Sequence, residues 1–114
     1  MSERKMLIPE FGPFAGIRVI DSGSIFAMPY ASCMLADFGA EVIHIERPGV
    51  GDTLRGLAPF AEINGKKVST AWAQDSRNKL SLSLELNLKH PEVKEIFYGL
   101  IKEADIFMEN MVWL

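Results

Sequence analysis

The sequence contains 114 residues, of which 48% are hydrophobic, and its formal net charge at pH 7 is −3. This length suffices for one small domain with a core, and the apolar content excludes an intrinsically disordered chain. The charge gives no general electrostatic reason to bind nucleic acid, and no apolar run approaches the ~20 residues of a membrane span. A single cysteine, Cys33, excludes an internal disulfide framework and is typical of a reducing compartment, so we expect a cytoplasmic protein.

The chain divides into a short lead-in segment and one domain. Residues 1–15 carry charges together with Pro9 and Pro13, and such a segment is ordered only where it packs on something else. Residues 16–114 contain no internal repeat or linker and are interpreted as one domain. The chain stops at residues 111–114, directly after a predicted strand, which leaves a parallel sheet uncovered. We therefore expect the domain to be truncated.

A strand, a crossover helix and a parallel strand are predicted at the start of the domain. Two apolar runs predict the strands, and an apolar stripe with helical spacing predicts the helix between them. These three elements are residues 17–20, 29–38 and 42–45. Ligands of parallel α/β sheets bind beyond the carboxyl ends of the strands. The rim after the two strands, residues 22–28 and Glu46-Arg47, is therefore the predicted binding site.

The second part of the domain begins with a long loop. Pro48 and several glycines mark its start, and we expect it to stay irregular to about Asn78. A loop of this length in a compact domain is usually functional or packs on another element. Strict alternation then predicts a half-buried edge strand, followed by an amphipathic helix and a fourth strand: residues 80–86, 91–104 and 105–110. Right-handed crossovers give a Rossmann-like parallel α/β sheet in the strand order 3-2-1-4.

The predicted rim offers only weak evidence for a particular ligand. Its first turn lacks the G-x-G-x-x-G pattern of dinucleotide binders, since only Gly23 is present. Glu46 stands where a ribose-binding acid would be, but it fits equally a structural partner of a nearby basic group. Met28 cannot cap the following helix, so a ligand anion, Ser24 or water is expected to meet its first N–H groups. The residues alone leave a nucleotide or anion site open.

The remaining chemistry-bearing residues favour structural roles. His44 and His90 lack paired ligands at metal spacing, so no metal site is expected, and His44 is interpreted as a tolerated strand residue. Cys33 has no nearby histidine and is expected to be a buried, inert thiol. Asp21 and Glu109 both end strands, where capping of the following turn is favoured over a role in the site.

A series of motifs nevertheless runs through the whole domain in a fixed order. These motifs are G-I-R-V-I-D (16–21), A-x-P (27–29), L-A-D-F-G-A-E-V-I-H-I-E-R-P-G (35–49), G-D-T-L-R (51–55), R-N-K-x-S-L-S-L (77–84) and A-D-I-F-M-E-N (104–110). The series resembles the amino-terminal part of the class III coenzyme A transferases, which include formyl-CoA and carnitine CoA transferases. The resemblance implies that residues 16–114 begin a CoA-binding Rossmann-like large domain.

The resemblance also implies a reaction and its partners. Members of this family move CoA between carboxylic acids, take acyl-CoA as a substrate without a metal, and form an interlocked homodimer. Their nucleophile is an aspartate that lies beyond residue 114, and neither Asp21 nor Asp105 aligns with it, so no catalytic residue is assigned in this chain. Two alternatives stay open: a nucleotide- or NAD-binding Rossmann domain of an oxidoreductase, and a non-catalytic CoA-binding subunit.

CoA contacts are the part of the family site that falls within this chain. The turn after the first strand, the arginine after the second and the ends of the third and fourth strands match family positions that touch CoA. A guanidinium suits adenine stacking and phosphate pairing. The sequence departs from the family pattern at Phe26, Met28 and Met111. The implied CoA contacts are Ile25, Phe26, Ala27, Arg47, Leu84, Glu85, Asn87, Asn110 and Met111.

Overall fold

The computed structural model describes residues 4–111. Residues 112–114, which contribute to the expectation of an interrupted sheet, lie outside the described residues, as do the first three residues of the lead-in segment. Within the described range, no helix is long and apolar enough to cross a membrane. The elements are β1 (Arg18–Asp21), α1 (Ala27–Asp37), β2 (Glu41–Glu46), a 3-10 helix (Thr53–Gly56), β3 (Phe60–Ile63), β4 (Lys66–Ser69), α2 (Thr70–Asp75), β5 (Lys79–Ser83), α3 (Pro91–Lys102) and β6 (Ile106–Met108).

Four parallel strands form the main sheet in the order β5-β2-β1-β6. This is the predicted order 3-2-1-4, because β5 and β6 are the third and fourth strands of that prediction. The Rossmann-like fold class and the position of β5 at an edge of the sheet are therefore confirmed. In the register of β1 and β2, Asp21 is paired with His44, so these two side chains become neighbours.

The two faces of the sheet carry separate apolar clusters, because successive strand residues point to opposite sides. One cluster packs with α1 and the other packs with α3. The fully buried members on the α1 side are Val19, Ala36, Ala40 and Val42. The buried members on the α3 side are Ile20, Ile43 and Ile45, which pack against the leucines of β5 and the apolar stripe of α3. The α1 face changes from apolar to charged toward the carboxyl ends of the strands, at Asp21, His44 and Glu46.

The expectation of an irregular segment from residue 48 to residue 78 is wrong. The segment contains the 3-10 helix, an antiparallel hairpin of β3 and β4, and the helix α2. Asn64 and Gly65 form the two-residue turn of the hairpin, with positive φ values of 52° and 77°. An Asn-Gly pair between two strands is a strong hairpin signal, because both residues tolerate this conformation.

The helix α1 begins at Ala27, two residues before its predicted start, so Pro29 is its third residue. No side chain caps this end, and Ser24 therefore does not fill that role. Gly39 ends the helix with a φ of 105°, as the sequence predicts. A Cβ at Gly39 would lie 1.7 Å from a backbone oxygen of the lead-in segment, so glycine is also required for that contact.

A buried ion pair lies at the opposite end of the sheet from the predicted rim. Arg18 Nε lies 2.5 Å from Glu41 Oε1, and the two side chains are 8% and 0% exposed. Arg18 Nη1 also lies 3.2 Å from Glu103, whose side chain is 69% exposed, and Arg18 donates to the carbonyl of Lys5. This cluster fixes the lead-in segment and the end of α3 to the first two strands.

Candidate functional site

A cleft of about 370 Å³ lies at the carboxyl ends of β1, β2 and β5. β5 ends at Ser83, three residues before the predicted end, so the next residues form a loop that lines the cleft. Four of the predicted contacts line it, which places the cleft at the rim chosen from the sequence. The lining residues are Ser22, Gly23, Ser24, Ile45, Glu46, Arg47, Gly51, Asp52, Thr53, Leu84, Glu85, Leu86 and Met111.

The other predicted contacts lie around this cleft without lining it. Ile25 and Phe26 end the turn between β1 and α1, and Ala27 is the first residue of α1. Asn110 joins that turn to the end of β6, because its side chain accepts from Ser24 N at 2.9 Å and donates to Ser24 O at 3.0 Å. Asn87 lines a second, more apolar groove. This groove shares Glu85, Leu86 and Met111 with the cleft.

Glu46 is held by a basic partner at the rim. Arg55 donates to both of its carboxylate oxygens at 2.9 Å, and Ser81 donates to Oε2 at 2.9 Å. Burial alone would raise the pKa of Glu46, but these hydrogen bonds outweigh it and keep that pKa below its ordinary value. Both oxygens are engaged, so the geometry supports the structural interpretation of Glu46 over the ribose-binding one.

Arg55 connects this carboxylate to the segment after β2. Its guanidinium lies 4.0 Å from the ring centroid of Trp72 in α2, which is a cation–π contact. Gly51 has a φ of 73°, and a Cβ there would lie 2.7 Å from Arg55 Cδ, so a side chain at residue 51 would displace the arginine. The contacts of Arg55 thus hold the wall of the cleft against the sheet.

His44 is not a merely tolerated strand residue, and that expectation is wrong. Its ring is buried between two carboxylates: Nε2 lies 2.9 Å from Asp52 Oδ2, and Nδ1 lies 3.1 Å from Asp21 Oδ2. The second approach is misaligned for a hydrogen bond and acts as an attraction between charges. Burial would lower the pKa of His44, but the two carboxylates outweigh it and raise that pKa to about 9. His44 is therefore an imidazolium at neutral pH.

The two carboxylates each have further partners. Burial would raise both pKa values, but His44 and the hydrogen bonds to Asp21 and Asp52 keep them below the ordinary range. Asp21 also accepts from Ser32 and, at 2.8 Å, from Gly23 N, so its expected turn-capping role is confirmed. Sequence reasoning gave Asp52 no role, because Asp52 reaches His44 through the loop after β2 and not through the register of two strands.

The side chain of Arg47 lies at the edge of the cleft. Arg47 is exposed at this edge, and its side chain makes a long 3.4 Å hydrogen bond from Nη2 to Thr53 Oγ1. Its guanidinium is therefore available for a ligand.

Cys33 is buried in α1, and burial raises the pKa of its thiol, as expected for an inert thiol. Among residues 4–111, no group of three or more potential ligands is placed to hold a metal ion.

The comparison with known proteins decides among the interpretations left open by this geometry. The family model described as CoA-transferase family III matches residues 14–114. The chain belongs to this family. The match covers all four strands of the main sheet and the whole cleft, and it confirms the resemblance carried by the sequence motifs.

Relatives within CoA-transferase family III include enzymes whose names give different carboxylic acids as substrates. The chain is 41% identical over 98 residues to the succinyl-CoA–L-malate CoA-transferase beta subunit of Chloroflexus aurantiacus. This alignment covers 86% of this chain and 23% of that protein. It is 42% identical over 99 residues to the formyl-CoA:oxalate CoA-transferase of Escherichia coli, and this alignment covers 86% of this chain and 22% of that protein. The chain thus spans about a quarter of the length of these curated relatives.

The fold agrees with that of a solved structure. A CAIB/BAIF family protein from Brucella suis superposes with a TM-score of 0.77 at 30% sequence identity, over 90% of this chain and 26% of that one. The relatives are named CoA-transferases, so CoA thioesters are the substrates of the family. Membership in CoA-transferase family III therefore disfavours the alternative interpretation of the chain as a NAD-binding domain of an oxidoreductase.

Proposed function

We propose that this chain is the CoA-binding part of an enzyme that moves CoA between two carboxylic acids. The observation that carries the proposal is the cleft itself. Four residues implied as CoA contacts, Arg47, Leu84, Glu85 and Met111, come from the segments after β2, β5 and β6 and line one cavity at the carboxyl edge of the sheet. The positive side chain of Arg47 suits a phosphate, and the adjoining apolar groove suits the uncharged parts of CoA.

The proposed reaction uses an aspartate that lies outside this chain. Its carboxylate attacks the thioester carbonyl of the donor, CoA leaves as the thiolate, and a mixed anhydride forms. The thiolate then attacks the aspartyl carbonyl, which gives an aspartyl-CoA thioester and releases the donor carboxylate. The acceptor acid repeats these steps in reverse order. This is covalent catalysis, in which one difficult exchange becomes several easier steps.

The residues of this chain bind and orient CoA in that scheme. The loop after β2 presents Arg47, the loop after β5 presents Leu84 to Asn87, and Asn110 ties the turn after β1 to the end of β6. The proposal includes Ile25, Phe26 and Ala27 as contacts near the acyl end. It also includes acyl-CoA and carboxylic acids as partners, an interlocked homodimer for the whole enzyme, and a cytoplasmic location.

We expect the 114-residue chain alone to show no transferase activity, because the proposed nucleophile is absent from it. Purified chain should stay at background in assays with acyl-CoA donors and dicarboxylic acceptors, whereas a longer gene product that carries it should turn over. Sustained turnover by the chain would reopen Asp21 and Asp105 as nucleophiles. A longer product that is inactive with every acyl-CoA, and does not bind CoA in calorimetry, would refute the proposed function.

Replacing Arg47 by alanine is expected to weaken CoA binding by roughly 1–3 kcal/mol, the scale of one lost charged hydrogen bond, or about 5- to 150-fold in Kd. Calorimetry with CoA measures the effect, and circular dichroism checks the fold. Arg77→Ala is the matched control, since Arg77 is also exposed but pairs with Asp37 away from the cleft. Equal affinities for parent and Arg47→Ala would remove this arginine from the site.

A further inference from the structure

A bridge of three buried charged side chains, Asp21, His44 and Asp52, contacts the turn that forms one wall of the cleft. We infer, on the basis of the CoA site proposed above, that this bridge is a positioning device for the turn. A charged His44 holds the two carboxylates where each one fixes a backbone N–H of the turn. The bridge thereby sets the shape of the wall that CoA meets, although its side chains are themselves buried.

Each carboxylate of the bridge divides its two oxygens between the imidazole and the turn. The Oδ2 atoms of Asp21 and Asp52 face His44 at 3.1 Å and 2.9 Å. The Oδ1 atoms accept backbone N–H groups, Asp21 from Gly23 at 2.8 Å and Asp52 from Ile25 at 3.2 Å. One imidazole ring therefore contacts both anchors of the turn.

The turn needs these anchors because its backbone is unfavourable by itself. Ile25 has a φ of 68°, in the left-handed region that β-branched residues rarely adopt. Such a conformation persists only where the surroundings determine it. Three consecutive N–H groups, those of Gly23, Ser24 and Ile25, are each accepted by a side-chain oxygen from a different part of the fold. Asn110 accepts from Ser24, and the two carboxylates of the bridge accept from Gly23 and Ile25.

The charge on His44 is what allows the two carboxylates to stay in place. The charged or titratable groups that face the ring are Asp21 from β1, Asp52 from the loop after β2 and Lys79 from β5. Lys79 Nζ lies 3.5 Å from Asp21 Oδ2, and its shorter contact, 2.7 Å, is to a backbone oxygen of α1. Loss of either ring proton leaves a nitrogen lone pair facing a carboxylate oxygen. One anchor of the turn is then released.

A pH titration of the parent chain followed by methyl NMR tests the device without CoA and without a variant. The Ile25 methyl resonances are expected to shift between pH 7 and pH 10.5 with the same midpoint as the His44 ring resonances. Ile17 is the matched control, because it lies near the other end of β1 and should not follow that midpoint. Ile25 methyl resonances that stay fixed while His44 titrates would overturn the inference.

Variants of His44 test the consequence for the ligand. In a gene product that carries this chain, His44→Gln is expected to weaken CoA affinity on the order of tenfold, because a neutral side chain holds at most one carboxylate. His44→Lys keeps a cation between the carboxylates and should recover most of that loss. Val42→Ala, at a fully buried position in the same strand, controls for lost stability and should leave the affinity of the folded protein unchanged.

The outcomes separate this inference from the proposed function. Parent protein that does not bind CoA refutes the function, while the methyl titration still decides whether His44 positions the turn. Folded His44→Gln protein with parental affinity would show that the bridge contributes only stability. If His44→Gln does not fold, the titration of the parent chain decides.

Discussion

Replacing Glu41 by glutamine is expected to destabilise the folded chain by roughly 3–5 kcal/mol, the usual cost of breaking a buried ion pair. Glu41 is fully buried, and its loss of charge leaves the guanidinium of Arg18 buried without its close partner. Such a loss is a large fraction of the roughly 5–15 kcal/mol that stabilises an ordinary domain. Urea unfolding at neutral pH measures the change in the free energy of unfolding.

The same arginine supplies the control for this measurement. Glu103 also pairs with Arg18, but its side chain is 69% exposed, so Glu103→Gln should cost at most about 1 kcal/mol. A large loss from Glu41→Gln beside a small loss from Glu103→Gln would show that burial decides the cost. Losses of similar size would contradict the description of the pair between Arg18 and Glu41 as desolvated.

The free energy of unfolding is expected to fall by roughly 3 kcal/mol between pH 6.5 and pH 9 because of His44 alone. The folded state holds the pKa of this histidine at about 9, above its ordinary value of 6.5. The unfolded chain therefore releases the proton first as the pH rises. The stabilisation is complete below pH 6.5 and is lost as the pH approaches 9. Each pH unit in that interval costs about 1.4 kcal/mol.

Urea unfolding at several pH values measures this slope, and His44→Gln, which lacks the proton, should flatten it. Lys79 has a lowered pKa because of burial, so it contributes with the opposite sign at higher pH, and the series stops at pH 9. Asp21 and Asp52 have lowered pKa values, and their stabilisation is lost as the pH falls through those values. A parent chain with no slope between pH 6.5 and pH 9 would contradict the charged state of His44.

The sheet could be predicted from the sequence because each of its strands has a local signal. β1 and β2 are short apolar runs, β5 alternates, and α3 has a single apolar stripe, so order and edge follow from connection rules. The hairpin of β3 and β4 was missed because its strands are mostly exposed and show no apolar alternation. The Asn64-Gly65 pair at its turn is the one sequence signal that indicates this hairpin.

The place of the site could be predicted for a different reason. Parallel strands bring their carboxyl ends to one edge, so Arg47 and the residues after β5 had to lie near each other. The partners of His44 could not be predicted from its spacing. Asp21 reaches it through the register of two strands, and Asp52 reaches it through a loop that returns over the sheet end. Such contacts are set by tertiary geometry, which short motifs do not encode.

The unequal burial of the two long helices has a consequence for how the molecule opens. α1 contains the buried residues Pro29, Ser32, Cys33 and Ala36, whereas α3 contains none, and the neighbouring Ile106 and Phe107 of β6 are exposed. Regions with little buried apolar contact open locally at a lower free energy than the core. Amide hydrogens of α3 and β6 should therefore exchange with solvent through partial openings in which β1, β2 and α1 stay intact.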